Sequence, residues 1–364
     1  MSDVNPNDLE PTIYPAPDVP AKPTPEVDGG PAPKNRLEPV DGQERIADLI
    51  AMLKESVEKL SRDSASRGDV KLISRTVREL RYAFKVFQPY RLRRKVTVFG
   101  SARTKPEEPA YQQAVAFGKA MAERSWLVVT GAAAGIMEAG HVGAGRENSM
   151  GINIMLPFEQ SSNPIIAGDH KLVHMKYFFT RKLMFVKECD AVCCLPGGFG
   201  TLDEAMEVIT LLQTGKRDMV PVVLLDSPGG NYWKHFVDFV RDRLLSARLI
   251  SPEDFSLFKV TDDADEAVTE ILRFFHNYHS MRYVRNKLVF RMRHLPTPGQ
   301  LAGINAHFAD ILAEGVFETH QGPLEEERDD KELADMARLV FRFNRRSLGK
   351  LRLLIDHLNT LTPG

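Results

Sequence analysis

Ala191-Val192-Cys193-Cys194-Leu195-Pro196-Gly197-Gly198-Phe199-Gly200-Thr201-Leu202-Asp203-Glu204 passes from an unbroken apolar run, through a glycine-rich turn, into an amphipathic segment. An apolar run with no polar alternation suits a strand buried on both faces, as in a parallel sheet between two helical layers. Such sheets bind ligands outside the carboxyl ends of their strands, where a following helix offers free N–H groups and the positive end of its dipole. Gly197, Gly198 and Gly200 let the backbone turn sharply and approach an anion closely, and the Thr201 hydroxyl can cap the helix or donate to the anion. No Gly-Lys-Ser/Thr follows, so the turn is not a Walker loop. Glu204 lies in the first turn of the helix, where its carboxylate can orient water, accept a proton, or offset the dipole.

The same texture extends on both sides. Strands are expected at Val96–Phe99, Trp126–Thr130, Gly151–Leu156, Lys171–His174, Ala191–Leu195, Val220–Leu225 and Phe258–Thr261. Helices are expected between and after them, at Ala110–Arg124, Ile136–Glu147, Phe178–Glu188, Thr201–Gln213, Tyr232–Ala247 and Ala264–Tyr278. This alternation predicts an α/β domain with a doubly wound parallel sheet over residues 95–278. Residues 1–40 hold ten of the 23 prolines and no periodic apolar pattern, and are read as a disordered tail. Residues 41–94 are read as a helical hairpin, from Ile46, Leu49, Ile50, Leu53, Val57 and Leu60, then Leu72, Ile73, Val77, Leu80, Phe84 and Phe87. Residues 279–364 are read as a helical extension. It opens with Arg282, Arg285, Lys287, Arg291 and Arg293 and ends in a helix carrying Leu339, Val340, Phe343, Leu348, Leu351, Leu354 and Ile355.

Composition narrows the function classes. Forty-eight Lys and Arg against 49 Asp and Glu, in 364 residues, argue against a generic nucleic-acid binder, and the basic run at 282–293 is read as a solvated helix face. No apolar run reaches the roughly 18 residues that a membrane span needs. The opening Met-Ser-Asp-Val-Asn-Pro lacks the basic and apolar regions of a secretory signal. Cys189, Cys193 and Cys194 lie in or beside an apolar run, which suits small buried residues in a reducing cytoplasm better than a disulfide framework or a reactive thiol. His170 and His174 stand four apart on a strand, without a helical metal spacing, so neither a metal nor another cofactor is expected.

Three further patches converge with the glycine turn. Arg181 and Lys182, at the start of the preceding helix, could pair with a phosphate or stabilise a leaving group, or face solvent. Gly100 and Ser101 end the first strand, and Thr130 and Gly131 the second. Small residues there admit a ligand to the backbone, and the two hydroxyls can donate to phosphate or ribose.

Together these residues resemble the LOG (Lonely Guy) family. Pro196 to Glu204 fits its Pro-Gly-Gly-x-Gly-Thr-x-x-Glu signature, Arg181-Lys182 matches its upstream pair, and the likeness runs over residues 95–278. The resemblance implies a Rossmann-like fold, a homodimer or higher assembly, and hydrolysis of the N-glycosidic bond of nucleoside 5′-monophosphates, AMP-like or cytokinin nucleotides, to free base and ribose 5-phosphate. Arg181 and Glu204 would be catalytic. Gly100, Ser101, Thr130, Gly131, Lys182, Gly197, Gly198, Gly200 and Thr201 would bind substrate. Where the family has more glycine, Ala132, Ala133 and Ala134 would narrow the pocket. Two alternatives stand beside this: a pyridoxal-dependent decarboxylase, which would need a Schiff-base lysine such as Lys182 and a pyridinium partner, and a non-catalytic nucleotide sensor or cofactor carrier.

Overall fold

The computed structural model describes residues 46–155, 162–327 and 331–361. The tail predicted over 1–40 lies outside them. The described residues fall into two compact units, divided between Ser66 and Arg67. In the first, helix α1 (Ala47–Arg62) has no buried residue. The boundary falls inside the hairpin predicted over 41–94, because its second helix, α2 (Arg67–Phe87), belongs to the larger unit.

The larger unit is built on a seven-stranded parallel sheet. Its strands are β1 (Lys95–Phe99), β2 (Leu127–Thr130), β3 (Ser149–Ile154), β4 (Leu172–Met175), β5 (Ala191–Cys194), β6 (Val222–Leu225) and β7 (Lys259–Thr261), in the spatial order 4-3-2-1-5-6-7. Every residue of β1, β2, β3, β5 and β6 is buried; β5 and β6 are unbroken apolar runs, whereas β1 buries Lys95 and Thr97 and β3 buries Ser149 and Asn153. The helices between them are α3 (Pro109–Glu123), α4 (Ile136–Ala144), α5 (Phe178–Glu188), α6 (Phe199–Gln213) and α7 (Tyr232–Phe239), with α8 (Ala264–Phe274) after β7. The order reverses between β1 and β5, which pair in register from Val96↔Ala191 to Phe99↔Cys194. A reversal of this kind opens a crevice at the carboxyl ends of the two strands, where both glycine-containing turns emerge. The Rossmann-like α/β fold read from the sequence is therefore the fold of this unit.

Glu79 of α2 orients one wall of the crevice. Its carboxylate is buried and accepts from the Lys176 N–H at 2.9 Å and the Thr180 hydroxyl at 2.8 Å, tying α2 to the first turn of α5.

The extension after residue 278 is not the predicted helical one. Tyr278–Val284 (β8), Lys287–Met292 (β9), Leu312–Gln321 (β10) and Ala337–Phe343 (β11) form a second, antiparallel sheet in the order 10-11-9-8. Two helices accompany it, α9 (Pro298–His307) and α10 (Leu348–Thr360). Helical spacing and a doubly buried strand are indistinguishable at Leu339, Val340 and Phe343, and β11 is buried along nearly its whole length. The basic run at 282–293 accordingly lies on a hairpin. Arg291 of β9 stands opposite Arg338 of β11, and buried Glu327 bridges them, accepting from Arg291 Nη2 at 2.7 Å and Arg338 Nε at 3.0 Å.

Candidate functional site

The turn after β5 is fixed by its neighbours. Ser101 N–H donates to the Pro196 carbonyl at 3.2 Å, joining this turn to the one after β1. The Tyr232 hydroxyl donates to the Gly197 carbonyl at 2.7 Å. A Cβ on Gly197 would lie 2.2 Å from Thr201 Oγ1 and 2.9 Å from the Ser101 nitrogen, so only glycine fits. At Gly198 and Gly200 a Cβ would meet nothing within 4 Å, and Phe199 between them is 92% exposed. These two glycines therefore border open space. The helix cap is Gly198, with no side chain bonded to it, rather than Thr201, which lies in the first turn of α6. An uncapped helix N-terminus facing open space is a ready anion site.

Because α6 starts at Phe199, Glu204 lies in its second turn, beyond the range where dipole compensation is effective. It is 8% exposed, and among the described residues it makes no hydrogen bond or ion pair. Burial drives its carboxyl up to about 7, with nearby Lys182 and Arg181 pulling down and Asp203 and Glu207 pushing up.

Arg181 is anchored rather than solvent-facing. Its Nε donates to the Ile152 carbonyl at 2.9 Å, and its guanidinium carbon stands 5.0 Å from the Phe185 ring, itself edge-on to Phe99 at 5.0 Å. Burial pulls its pKa down, opposed by the charge of Glu204. Gly131 makes room for it: a Cβ there would lie 2.2 Å from Arg181 Nη2. Lys182 is held elsewhere, with Nζ 2.6 Å from Asp203 Oδ2 and 2.7 Å from Glu207 Oε2. Both partners belong to α6, so Lys182 links the helix of Arg181 to the helix of Glu204.

The remaining predicted residues divide. Ser101 stays partly exposed at the crevice, its hydroxyl accepting from Arg103 N–H at 3.1 Å. Gly100 is a packing residue, since a Cβ would strike the Ile136 side chain at 2.4 Å. Thr130 is not available to a ligand. It is fully buried, accepts from Ala132 N–H at 3.0 Å and pairs with His141 Nε2 at 3.1 Å. His141, whose pKa burial pulls down to about 4, also touches the Met150 carbonyl and Asn163, and Asn163 holds the carbonyls of Ala132 and Ala133. This network pins the second loop from beneath. The Ala132 methyl packs with Ile166 and Leu172, so it does not narrow the crevice.

Tyr232, Ile152 and Asn163 escaped the sequence reading. Tyr232 reaches its carbonyl across 35 positions, and the Ile152 carbonyl carries no residue-type signal. Among the described residues, no group of three or more His, Cys, Asp or Glu is placed to hold a metal, and no helix is long and apolar enough to cross a membrane. All three cysteines are buried free thiols, and burial pushes each above its ordinary pKa. Two surface clefts, of about 300 and 470 Å³, lie around Glu314 and Arg342 and around Asp226 and Asp262, and neither is lined by Arg181 or Glu204.

Comparison with known proteins adds the family. One described as possible lysine decarboxylase matches residues 105–271. The chain is 31% identical over 185 residues to the cytokinin riboside 5′-monophosphate phosphoribohydrolase LOG7 of Arabidopsis thaliana, covering 49% of this chain and 81% of that one. It is 30% identical over 199 residues to the enzyme LOG of Oryza sativa subsp. japonica, covering 52% and 76%. The molybdenum cofactor carrier protein of Chlamydomonas reinhardtii superposes with a TM-score of 0.35 at 20% identity, over 50% of this chain and 98% of that one, an overlap too loose to bear on function. By its motif and by its likeness to these phosphoribohydrolases, the chain belongs to the LOG family.

Proposed function

We propose that this site hydrolyses the N-glycosidic bond of a nucleoside 5′-monophosphate, releasing the base and ribose 5-phosphate. The observation that carries the proposal is Glu204: a buried side chain without a bonded partner, its carboxyl driven by burial up to about 7, in the second turn of a helix whose N-terminus is uncapped. A pKa near the working pH is what a general base needs. In the proposed reaction the N–H groups at Gly198 to Gly200 and the Thr201 hydroxyl bind the 5′-phosphate, the Thr201 N–H being donated to the Gly198 carbonyl at 3.0 Å. The bond from C1′ to the base nitrogen breaks as positive charge grows on the ribosyl ring, by analogy with glycoside cleavage. Glu204 takes a proton from water as its oxygen bonds to C1′, Arg181 stabilises the departing base, the base nitrogen takes a proton from solvent in place of the ribose, and Glu204 returns its proton to solvent. The relatives named for cytokinin ribotides support this substrate class.

A second copy of the chain is the proposed partner. Phe178, Phe179 and Leu183 of α5, and Phe199 beside the glycine turn, are 48–92% exposed, an apolar concentration that pairing would cover. Light scattering should then give twice the chain mass.

The test of activity is chromatography for free base after incubation with separate nucleoside 5′-monophosphates, including AMP and its isopentenylated form. Wild type should release base from at least one, and Glu204→Ala should lose roughly two to four orders of magnitude. Binding without release of base would replace the hydrolase by a nucleotide sensor or carrier.

A further inference from the structure

We propose that Lys182 is a positioning residue rather than a substrate ligand: it neutralises the two carboxylates that flank Glu204 and pins the helix of Glu204 to the helix of Arg181. The inference rests on Glu204 as the working carboxylate, as proposed above.

Asp203, Glu204 and Glu207 lie within five positions on α6, and residues three and four apart on a helix are neighbours. Three carboxylates so placed repel, and the buried one, Glu204, would bear most of the consequence because it is screened least by water. Lys182 answers this arrangement from α5. Its Nζ meets Asp203 at 2.6 Å and Glu207 at 2.7 Å, while its side chain is only 16% exposed. Two of the three donors of the ammonium are thereby committed to carboxylates of α6. Burial pulls the Lys182 pKa down, but the bonds to Asp203 and Glu207 outweigh it and hold it above the ordinary lysine value, so the group stays charged across the working range.

The charged and titratable groups around Glu204 come from three elements: Arg181 and Lys182 on α5, Asp203 and Glu207 on α6, and the buried Cys194 thiol at the end of β5. Arg181 is already fixed by the Ile152 carbonyl and the Phe185 ring. Lys182 is the cation that answers the flanking acids. Without it Asp203 and Glu207 act on Glu204 uncompensated, and the carboxyl should hold its proton to higher pH.

The experiment titrates Glu204 directly, without substrate, by carbon NMR of side-chain-labelled glutamate carboxyls, with the Glu204→Gln spectrum assigning the signal. The midpoint should rise by about one pH unit in Lys182→Met. It should return in Lys182→Arg, and also when Asp203→Asn and Glu207→Gln are added to Lys182→Met. An unchanged midpoint in a folded Lys182→Met, with KM for nucleotide raised at constant kcat, would make Lys182 a substrate ligand and overturn the proposal. Should Lys182→Met fail to fold, the Asp203→Asn, Glu207→Gln pair carries the test: its midpoint must fall below that of wild type, and no fall overturns the proposal. A shifted midpoint with no hydrolysis in any variant would confirm the positioning role of Lys182 while refuting the hydrolase.

Discussion

Glu204 and Glu327 are both covered by protein, with 8% and 1% of their surfaces exposed, and their surroundings drive their protonation in opposite directions. Burial alone would raise both. At Glu327 the bonds from Arg338 and Arg291, with a further one from Leu324 N–H, outweigh burial and hold the carboxyl below its ordinary value. At Glu204 no bond compensates, and the carboxyl sits near 7. At the first the carboxylate accepts from Arg291, Arg338 and the Leu324 N–H; the second accepts from none of the described residues. Burial alone therefore does not separate the structural glutamate from the one proposed to be catalytic, whereas the completeness of their hydrogen bonding does.

The largest effect should come from breaking the satisfied member. Glu327→Ala strands Arg338, whose side chain is wholly buried, and should cost about 3–5 kcal/mol in chemical denaturation. Loss of less than about 1 kcal/mol would mean that the second sheet does not depend on the triad. Because the folded-state pKa of Glu327 is depressed, its contribution is present above the unfolded carboxylate pKa and is lost as pH falls through the folded one.

The opposite sign holds for Glu204. Its folded pKa of about 7 lies above the ordinary 4.5, so wild type loses stability as pH rises between these values, by about 3 kcal/mol in total. Glu204→Gln should escape this loss and be more stable than wild type at pH 8, with the gap closing below pH 4.5. Equal stability at both pH values would show that Glu204 ionises as freely as in the unfolded chain.

Next in size is Gly131→Ala, which puts a methyl where Arg181 Nη2 lies and should cut activity roughly 10- to 100-fold while leaving the fold intact. Unchanged turnover would remove Arg181 from the chemistry. Smallest, Tyr232→Phe deletes the bond to the Gly197 carbonyl and should cost about 1 kcal/mol in a thermal melt.

Much of this architecture was legible in the chain because its signals are local. The buried strands β5 and β6 are continuously apolar, and Gly197 to Gly200 mark the turn where β5 gives way to α6. Thr130 was misplaced because a hydroxyl at a strand end can point either to the crevice or to the core, and buried His141 decides for the core. In the second sheet β11 was hidden by the same double burial that revealed β5, since it leaves no alternation to separate strand from helix. Lys182 was recognisable as a cation near the site, but its partners on α6 became visible only once α5 and α6 lay side by side.

The most direct test of the account is the pH dependence of kcat/KM for base release from the best nucleoside 5′-monophosphate, with wild type and Glu204→Gln compared. The rate should climb as pH rises through about 7 in wild type, and that limb should vanish in the variant along with most of the activity. A pH-independent rate retained by Glu204→Gln would contradict the assignment of Glu204 as the base.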